Sequence, residues 1–153
     1  MIRRAQASDA LELLSLMRGL ARFEGYDDRF AVTVEALIER GFSPQRPPEF
    51  TAWVAELDAA LAGYALIYVI PYTFDLRPTV VLKELFIDET ARGRNFGHDL
   101  MSAVIEHARS QNARLIRWQV LPDNEPAKRF YRQHGAALDA DWENWFIELS
   151  TPV

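Results

Sequence analysis

At 153 residues, 49% of them hydrophobic and 25% charged, the chain is expected to form one globular domain over residues 1–153 with a sizeable buried core. The absence of cysteine excludes a disulfide framework, a cysteine nucleophile and thiolate metal sites, and a net charge of −5 argues against nucleic acid as a partner. With no apolar run long enough to span a bilayer and no signal-peptide pattern in MIRRAQASDALELL, the expected location is cytoplasmic, away from membranes.

IRRAQ, residues 2–6, reads as a first strand. Ser8 or Asp9 is the expected N-cap of a helix that has Glu12 in its first turn. Leu13, Leu16, Met17 and Leu20 recur at helical spacing and carry that helix to about Arg22. FEGYDDRF follows as a loop, then TVEALIERGF as a second helix with Thr33 as its cap and Gly41 near its end. Beyond the pattern-breaking PQRPPEF, TAWVAELD and ALAGYALIYVI read as a hairpin joined through residues 58–60. PYTFDLRP is a turn-rich link to TVVLKELFI, which is apolar at nearly every position, as a central strand is. A helix is expected from about Asn95 to Gln111, with Phe96, Leu100, Val104 and Ala108 at steps of four. RLIRWQVL reads as a strand, NEPAKRFYRQHG as a short helix closed by Gly135, and DWENWFIEL as a final strand, with a short extra strand around Ala137. Trp53, Trp118 and Trp142 read as core or interface. The order β-α-α-β-β-β-α-β-α-β places the chain in the α/β class with a mixed sheet.

Three stretches carry chemistry. ARGRNFGHDL turns from a strand into a helix, where unpaired N–H groups and the helix dipole favour an anion and glycine lets a phosphate approach. A plain turn with solvated arginines fits the same residues. In NEPAKRFYRQHGA, Asn124 is a cap and Pro126 suits the first helical turn. Ala127, Phe130, Tyr131 and His134 share one face there, as core or as a working surface. Lys83 and Glu84 are adjacent charges inside an apolar strand, so at least one must line a groove or sit in an ion pair. His98, His107 and His134 show no metal-binding spacing, and there is no G-x-S-x-G elbow.

Taken together, R-G-R-N-F-G and N-E-P-A-K-R-F-Y-R-Q-H-G resemble the GNAT acetyltransferase superfamily. Arg92, Phe96 and Gly97 fall on its phosphate-loop pattern Q/R-x-x-G-x-G/A, with Asn95 in place of the first glycine. Asn124, Ala127, Phe130, Tyr131 and Gly135 match N-x-x-A-x-x-F-Y-x-x-x-G. The resemblance implies the GNAT acyl-CoA N-acyltransferase fold, a mixed central sheet with splayed central strands flanked by helices. It also implies acetyl-CoA as the acetyl donor and no metal. The backbone of Leu85, Phe86 and Ile87 would then pair with pantetheine. Arg92 and the N–H groups of Gly93, Arg94, Asn95, Phe96, Gly97 and His98 would hold the pyrophosphate, and Asn124 and Ala127 would line the other side.

Tyr131 is the family position of the proton donor to the leaving thiolate. Glu84 is expected as the acidic group near the amine, with an ion pair to a nearby arginine as the structural alternative. LARFEGYDD, LKELFI, NEPAKRFYRQHGA and DWENWFIEL are similar to the diamine (spermidine/spermine) N-acetyltransferase branch, where Glu24 and Trp145 match positions that contact substrate. Phe23 and Lys83 stand where that branch carries a tyrosine and an acidic residue. Lysine repels an ammonium, so a thialysine-like or amino-acid amine fits as well as a polyamine. The expected function is acetyl-CoA-dependent N-acetylation of a primary amine on a small molecule, by a homodimer. The alternatives are a non-catalytic acyl-CoA-binding module and a protein N-acetyltransferase.

Overall fold

A computed structural model describes residues 1–150 and divides into two compact units, Met1–Gln119 and Val120–Val153. In the first unit, β1 (Ile2–Arg4), β2 (Thr51–Leu57), β3 (Ala60–Ile70), β4 (Thr79–Ile87) and β5 (Leu115–Arg117) form one sheet in chain order. The first four pair antiparallel and β5 joins β4 in parallel, which makes the sheet mixed as expected. Helix α3 (Phe96–Ser110) supplies the crossover that a parallel neighbour requires.

Helix α1 (Ala10–Glu24) covers one face. Its Leu13, Leu16, Met17 and Leu20 cluster with Ala52 and Val54 of β2, Tyr64 and Leu66 of β3, and Phe86 of β4. Trp53, pointing the other way from Val54, is buried and stacks 5.1 Å from His107 of α3, so α3 covers the opposite face.

Several boundaries differ from the expected ones. Asp9 does not cap α1. Its carboxylate turns back to accept the Gln6 N–H at 2.7 Å and the Arg3 guanidinium at 2.8 and 2.9 Å. The helix is therefore preceded by a 3₁₀ turn at Ala7–Asp9, and β1 stops at Arg4. At the other end nothing in Phe23 or Glu24 opposes a helix, so α1 runs on until Gly25 takes φ 82° and its N–H meets the Ala21 and Arg22 carbonyls. FEGYDDRF is thus the last turn of α1 and a 3₁₀ turn at Asp27–Arg29 rather than a loop. Thr33 does cap α2 (Val34–Leu37), its Oγ1 accepting the Ala36 N–H at 3.1 Å, but the chain then widens into a π-helical turn at Ile38–Phe42.

The expected hairpin forms β2 and β3, turning through Asp58 and Ala59 at φ 52° and 65°. β4 has the expected bounds but is not regular: Leu66 faces Glu84 and Ile67 faces Leu82, which leaves Lys83 as the extra residue of a β-bulge. The bulge breaks the alternation. Glu84 shares the α1 face with Leu66, whereas Leu82 shares the other face with Ile67. Among the described residues RLIRWQVL is a strand at Leu115–Arg117, paired with β4 as far as Val81↔Arg117.

In the second unit, α4 (Glu125–Gln133) starts where the Asn124 side chain accepts the Ala127 N–H at 3.2 Å, and the chain leaves it at Gly135 with φ 82°. Neither DWENWFIEL nor the stretch around Ala137 is a strand among the described residues. Trp142, Trp145, Phe146, Ile147 and Leu149 are exposed, and strand-forming composition does not by itself make a strand. Trp142 is accordingly not a core residue.

Candidate active site

Beyond β4 the chain is pinned twice before it reaches α3. Asp88 Oδ1 accepts the Thr90 N–H at 3.0 Å, which caps a 3₁₀ turn at Glu89–Ala91, and Ala91 is buried. Gly93 at φ 78° and Asn95 at φ 65° then set two left-handed residues around Arg94. Asparagine tolerates that conformation better than other residues with a Cβ. The N–H groups of Phe96 and Gly97 open a 15-residue helix whose first turn offers them no intrahelical acceptor. A Cβ built on Gly93 would meet nothing within 4 Å, so the turn is open to a ligand. Exposed Arg92 and Arg94 add positive charge, and His98 is half-buried in the first turn of the helix. Helix-start amides, an open surface and two cations suit a diphosphate.

Arg92 is held from two sides: Nε donates to the Ile87 carbonyl at 3.3 Å, and its guanidinium lies 5.8 Å from the centre of the Phe23 ring. Phe23, from the end of α1, is thereby brought to the turn. Leu85, Phe86 and Ile87 lie on the part of β4 beyond its ladder with β5. The Phe86 side chain belongs to the α1-side core, while its carbonyl lies so close to Gly63 that a Cβ there would stand 2.7 Å away.

Glu84 is half-buried, and its Oε2 accepts the Tyr64 hydroxyl at 2.8 Å. Burial raises its pKa, and the charge of Glu24 pushes the same way, while the Tyr64 hydrogen bond and the charge of Lys83 pull it down. Tyr26, just past α1, is raised by burial and by the charges of Glu84 and Glu24. Tyr64, fully buried, is raised well above the usual phenol value by burial and by Glu84. The first unit therefore assembles two carboxylates and two phenols around the bulge, with the exposed Lys83 at its crest. The hydrogen-bond partner of Glu84 among the described residues is a phenol, a neutral donor in place of the arginine of the structural alternative.

The second unit carries Asn124, Ala127, Tyr131 and Trp145. The Asn124 side chain and the Ala127 N–H are bonded to each other at the start of α4. The Tyr131 ring packs edge-on against Phe130 at 5.3 Å, and Phe130 also meets His134 at 5.1 Å. Trp145 is exposed, and its Nε1 donates to Glu143 at 2.9 Å.

A family model described as "Acetyltransferase (GNAT) family" matches residues 14–136, from within α1 to just past α4. The chain belongs to the GNAT acetyltransferase family. This GNAT protein is an N-acetyltransferase by class, and a thialysine N-epsilon-acetyltransferase of Sus scrofa is 29% identical to it over 153 residues, covering 95% of the chain and 88% of the relative. The human spermidine/spermine N(1)-acetyltransferase-like protein 1 is 23% identical, over 95% of this chain and 22% of that protein. The crystal structure of a probable acetyltransferase matches the fold with a TM-score of 0.82 at 21% identity, covering 99% of each chain.

Tyr64 and Tyr26 are the residues around Glu84 that the sequence alone does not single out. Tyr64 is hidden in the apolar run of β3, and its pairing with Glu84 depends on the bulge at Lys83, which shifts the register by one residue. The charged pair inside the apolar strand is the one local sign of that bulge.

Proposed function

We propose that this GNAT N-acetyltransferase moves an acetyl group from acetyl-CoA to the primary amine of a small molecule of diamine or amino-acid type, as a cytoplasmic homodimer. The observation that carries the reading is Glu84, a carboxylate drawn into a half-buried site with a phenol on one oxygen and Glu24 acting on it. An anion placed this way suits an ammonium group better than any neutral or anionic partner.

The open, left-handed turn fits the phosphates of acetyl-CoA. Its amides at 93–98 and the Arg92 guanidinium would hold the diphosphate, and the edge of β4 at Leu85–Ile87 would hold the pantetheine amides. Asn124 and Ala127 are the contacts assigned to the second unit. Bound acetyl-CoA supplies an acetyl group activated as a thioester. Glu84 orients the amine and takes its proton at the carboxylate, so that the nitrogen becomes nucleophilic. An ordinary phenol keeps its proton at neutral pH, and Tyr131 would give one up at Oη to the departing thiolate. Glu24 and Phe23 would bound the amine in the first unit, and Trp145 is the substrate contact assigned to the second. Lys83 at the bulge repels a second ammonium and attracts a carboxylate, which favours amines of the amino-acid kind such as thialysine, lysine or ornithine.

Release of free thiol from acetyl-CoA, measured with those amines and with putrescine, spermidine and spermine, tests the reading. Turnover of at least one amine is expected, with Tyr131→Phe lowering kcat by roughly 10- to 100-fold. A wild-type protein that turns over none of them, or a Tyr131→Phe variant with unchanged kcat, rejects it.

A further inference from the structure

Tyr64 is a fully buried residue in the centre of the sheet, packed in the α1-side cluster with Phe86 at 6.4 Å. Packing alone does not require its hydroxyl, since phenylalanine fills nearly the same volume. The hydroxyl is costly to bury unless it is bonded. Its bond goes to Glu84 Oε2 at 2.8 Å, and the bulge at Lys83 is what turns Glu84 onto the face where that bond forms. Among the described residues the hydrogen bond to the carboxylate is made at Oε2, by a donor that is itself packed between β2, β4 and α1.

We propose that Tyr64 is a positioning residue for the amine site: its core-anchored hydroxyl fixes the Glu84 carboxylate by Oε2, so that Oε1 is the oxygen offered to the substrate. The inference rests on Glu84 meeting the amine. The groups that face Glu84 are Tyr64 from β3, Lys83 from its own strand, Glu24 from α1 and Tyr26 from the segment after α1. Burial and Glu24 disfavour the anion, whereas Tyr64 and Lys83 favour it. Removing the hydroxyl therefore leaves the carboxylate both looser and easier to protonate.

Tyr64→Phe keeps the ring and removes the bond. Carbon-detected NMR titration of the glutamate carboxyls in the whole chain, with Glu84→Gln used to assign the resonance, should show the Glu84 midpoint raised by about one unit in the variant. The acid limb of kcat/KM should rise by the same amount, since a purely structural loss would lower the rate without moving the limb. An unmoved midpoint overturns the inference, and so does a moved midpoint with an unmoved limb, while the proposed reaction survives either result. If the wild type acetylates no amine, the reaction falls on its own and the titration alone decides whether the hydroxyl governs Glu84. Should Tyr64→Phe fail to fold, Glu84→Gln serves instead. The Tyr64 phenol should then titrate lower than in the wild type, because the anion beside it is gone, and an unchanged phenol overturns the inference.

Discussion

The turn at Gly93–Asn95 and the carboxyl site around Glu84 differ in what they are made of. The first is main chain: two left-handed residues and the amides that open α3. The second is side chains, a carboxylate and a phenol meeting across two strands whose register slips by one residue at Lys83. A device built from amides depends on which residues tolerate φ > 0, and replacing a neighbouring side chain changes little. A device built from side chains depends on chemistry and exact placement, and one substitution can abolish it. The contrast suits the proposed division of labour, with an invariant diphosphate on one side and a variable amine on the other.

The largest expected effect comes from the side-chain region. Glu84→Gln keeps the shape and the Tyr64 contact but removes the proposed base, and should lower kcat/KM for the amine by about 100- to 1000-fold. KM for acetyl-CoA should stay within about two-fold, measured by varying acetyl-CoA at fixed amine. Equal losses for both substrates would erase the distinction between the two regions. Asp9 applies the same logic to stability. It is buried, bonded twice by Arg3 and once by the Gln6 N–H, and these bonds hold its carboxyl below the usual range. Asp9→Asn should destabilise by about 2 kcal/mol at neutral pH, read from chemical denaturation. Because the folded pKa is depressed, that contribution is present above the ordinary carboxyl value near pH 4. It fades as pH falls through the folded pKa, so the wild-type and variant Tm values should converge in acid.

The same division explains what could be read from the chain before its fold was known. Main-chain devices leave local marks: Asn95 and Gly93 for left-handed turns, Thr33 and Asn124 for caps, and Gly135 for a helix end each stand where the structure uses them. The β2–β3 hairpin and the bounds of β4 were equally legible, because apolar runs and turn residues delimit them. Asp9 misled because its partner Arg3 lies on another element, and a long-range ion pair outweighed a local cap. Tyr64 was hidden for the same reason, since a bulge cannot be counted from spacing. DWENWFIEL has the composition of a strand, but composition alone does not specify the ladder bonds that make one.

A smaller effect is expected where the main chain does the holding. Gly93 sits at φ 78° in open space, so Gly93→Ala meets no neighbour and acts only through backbone strain of about 1 kcal/mol. If the turn holds the diphosphate, KM for acetyl-CoA should rise about five-fold with kcat for saturating amine nearly unchanged. An effect on amine KM instead would mean that the turn and the carboxyl site are one device.

The smallest effect isolates main-chain conformation from any ligand. Ala59 occupies the tip of the β2–β3 hairpin at φ 65°, beside Asp58 at φ 52°, a pair of left-handed residues that suits the twist of two antiparallel strands. Alanine is strained there, whereas glycine is not, so Ala59→Gly relieves the folded state while making the unfolded chain more flexible. The two terms oppose each other, and the strain of about 1 kcal/mol exceeds the added entropy, which leaves a net gain of about 0.5 kcal/mol. Denaturant unfolding should show a slightly higher midpoint at unchanged m-value, with kcat and both KM values as in the wild type. A lower midpoint would mean that the hairpin tip relaxes out of the left-handed region, and that Asp58 alone sets the turn.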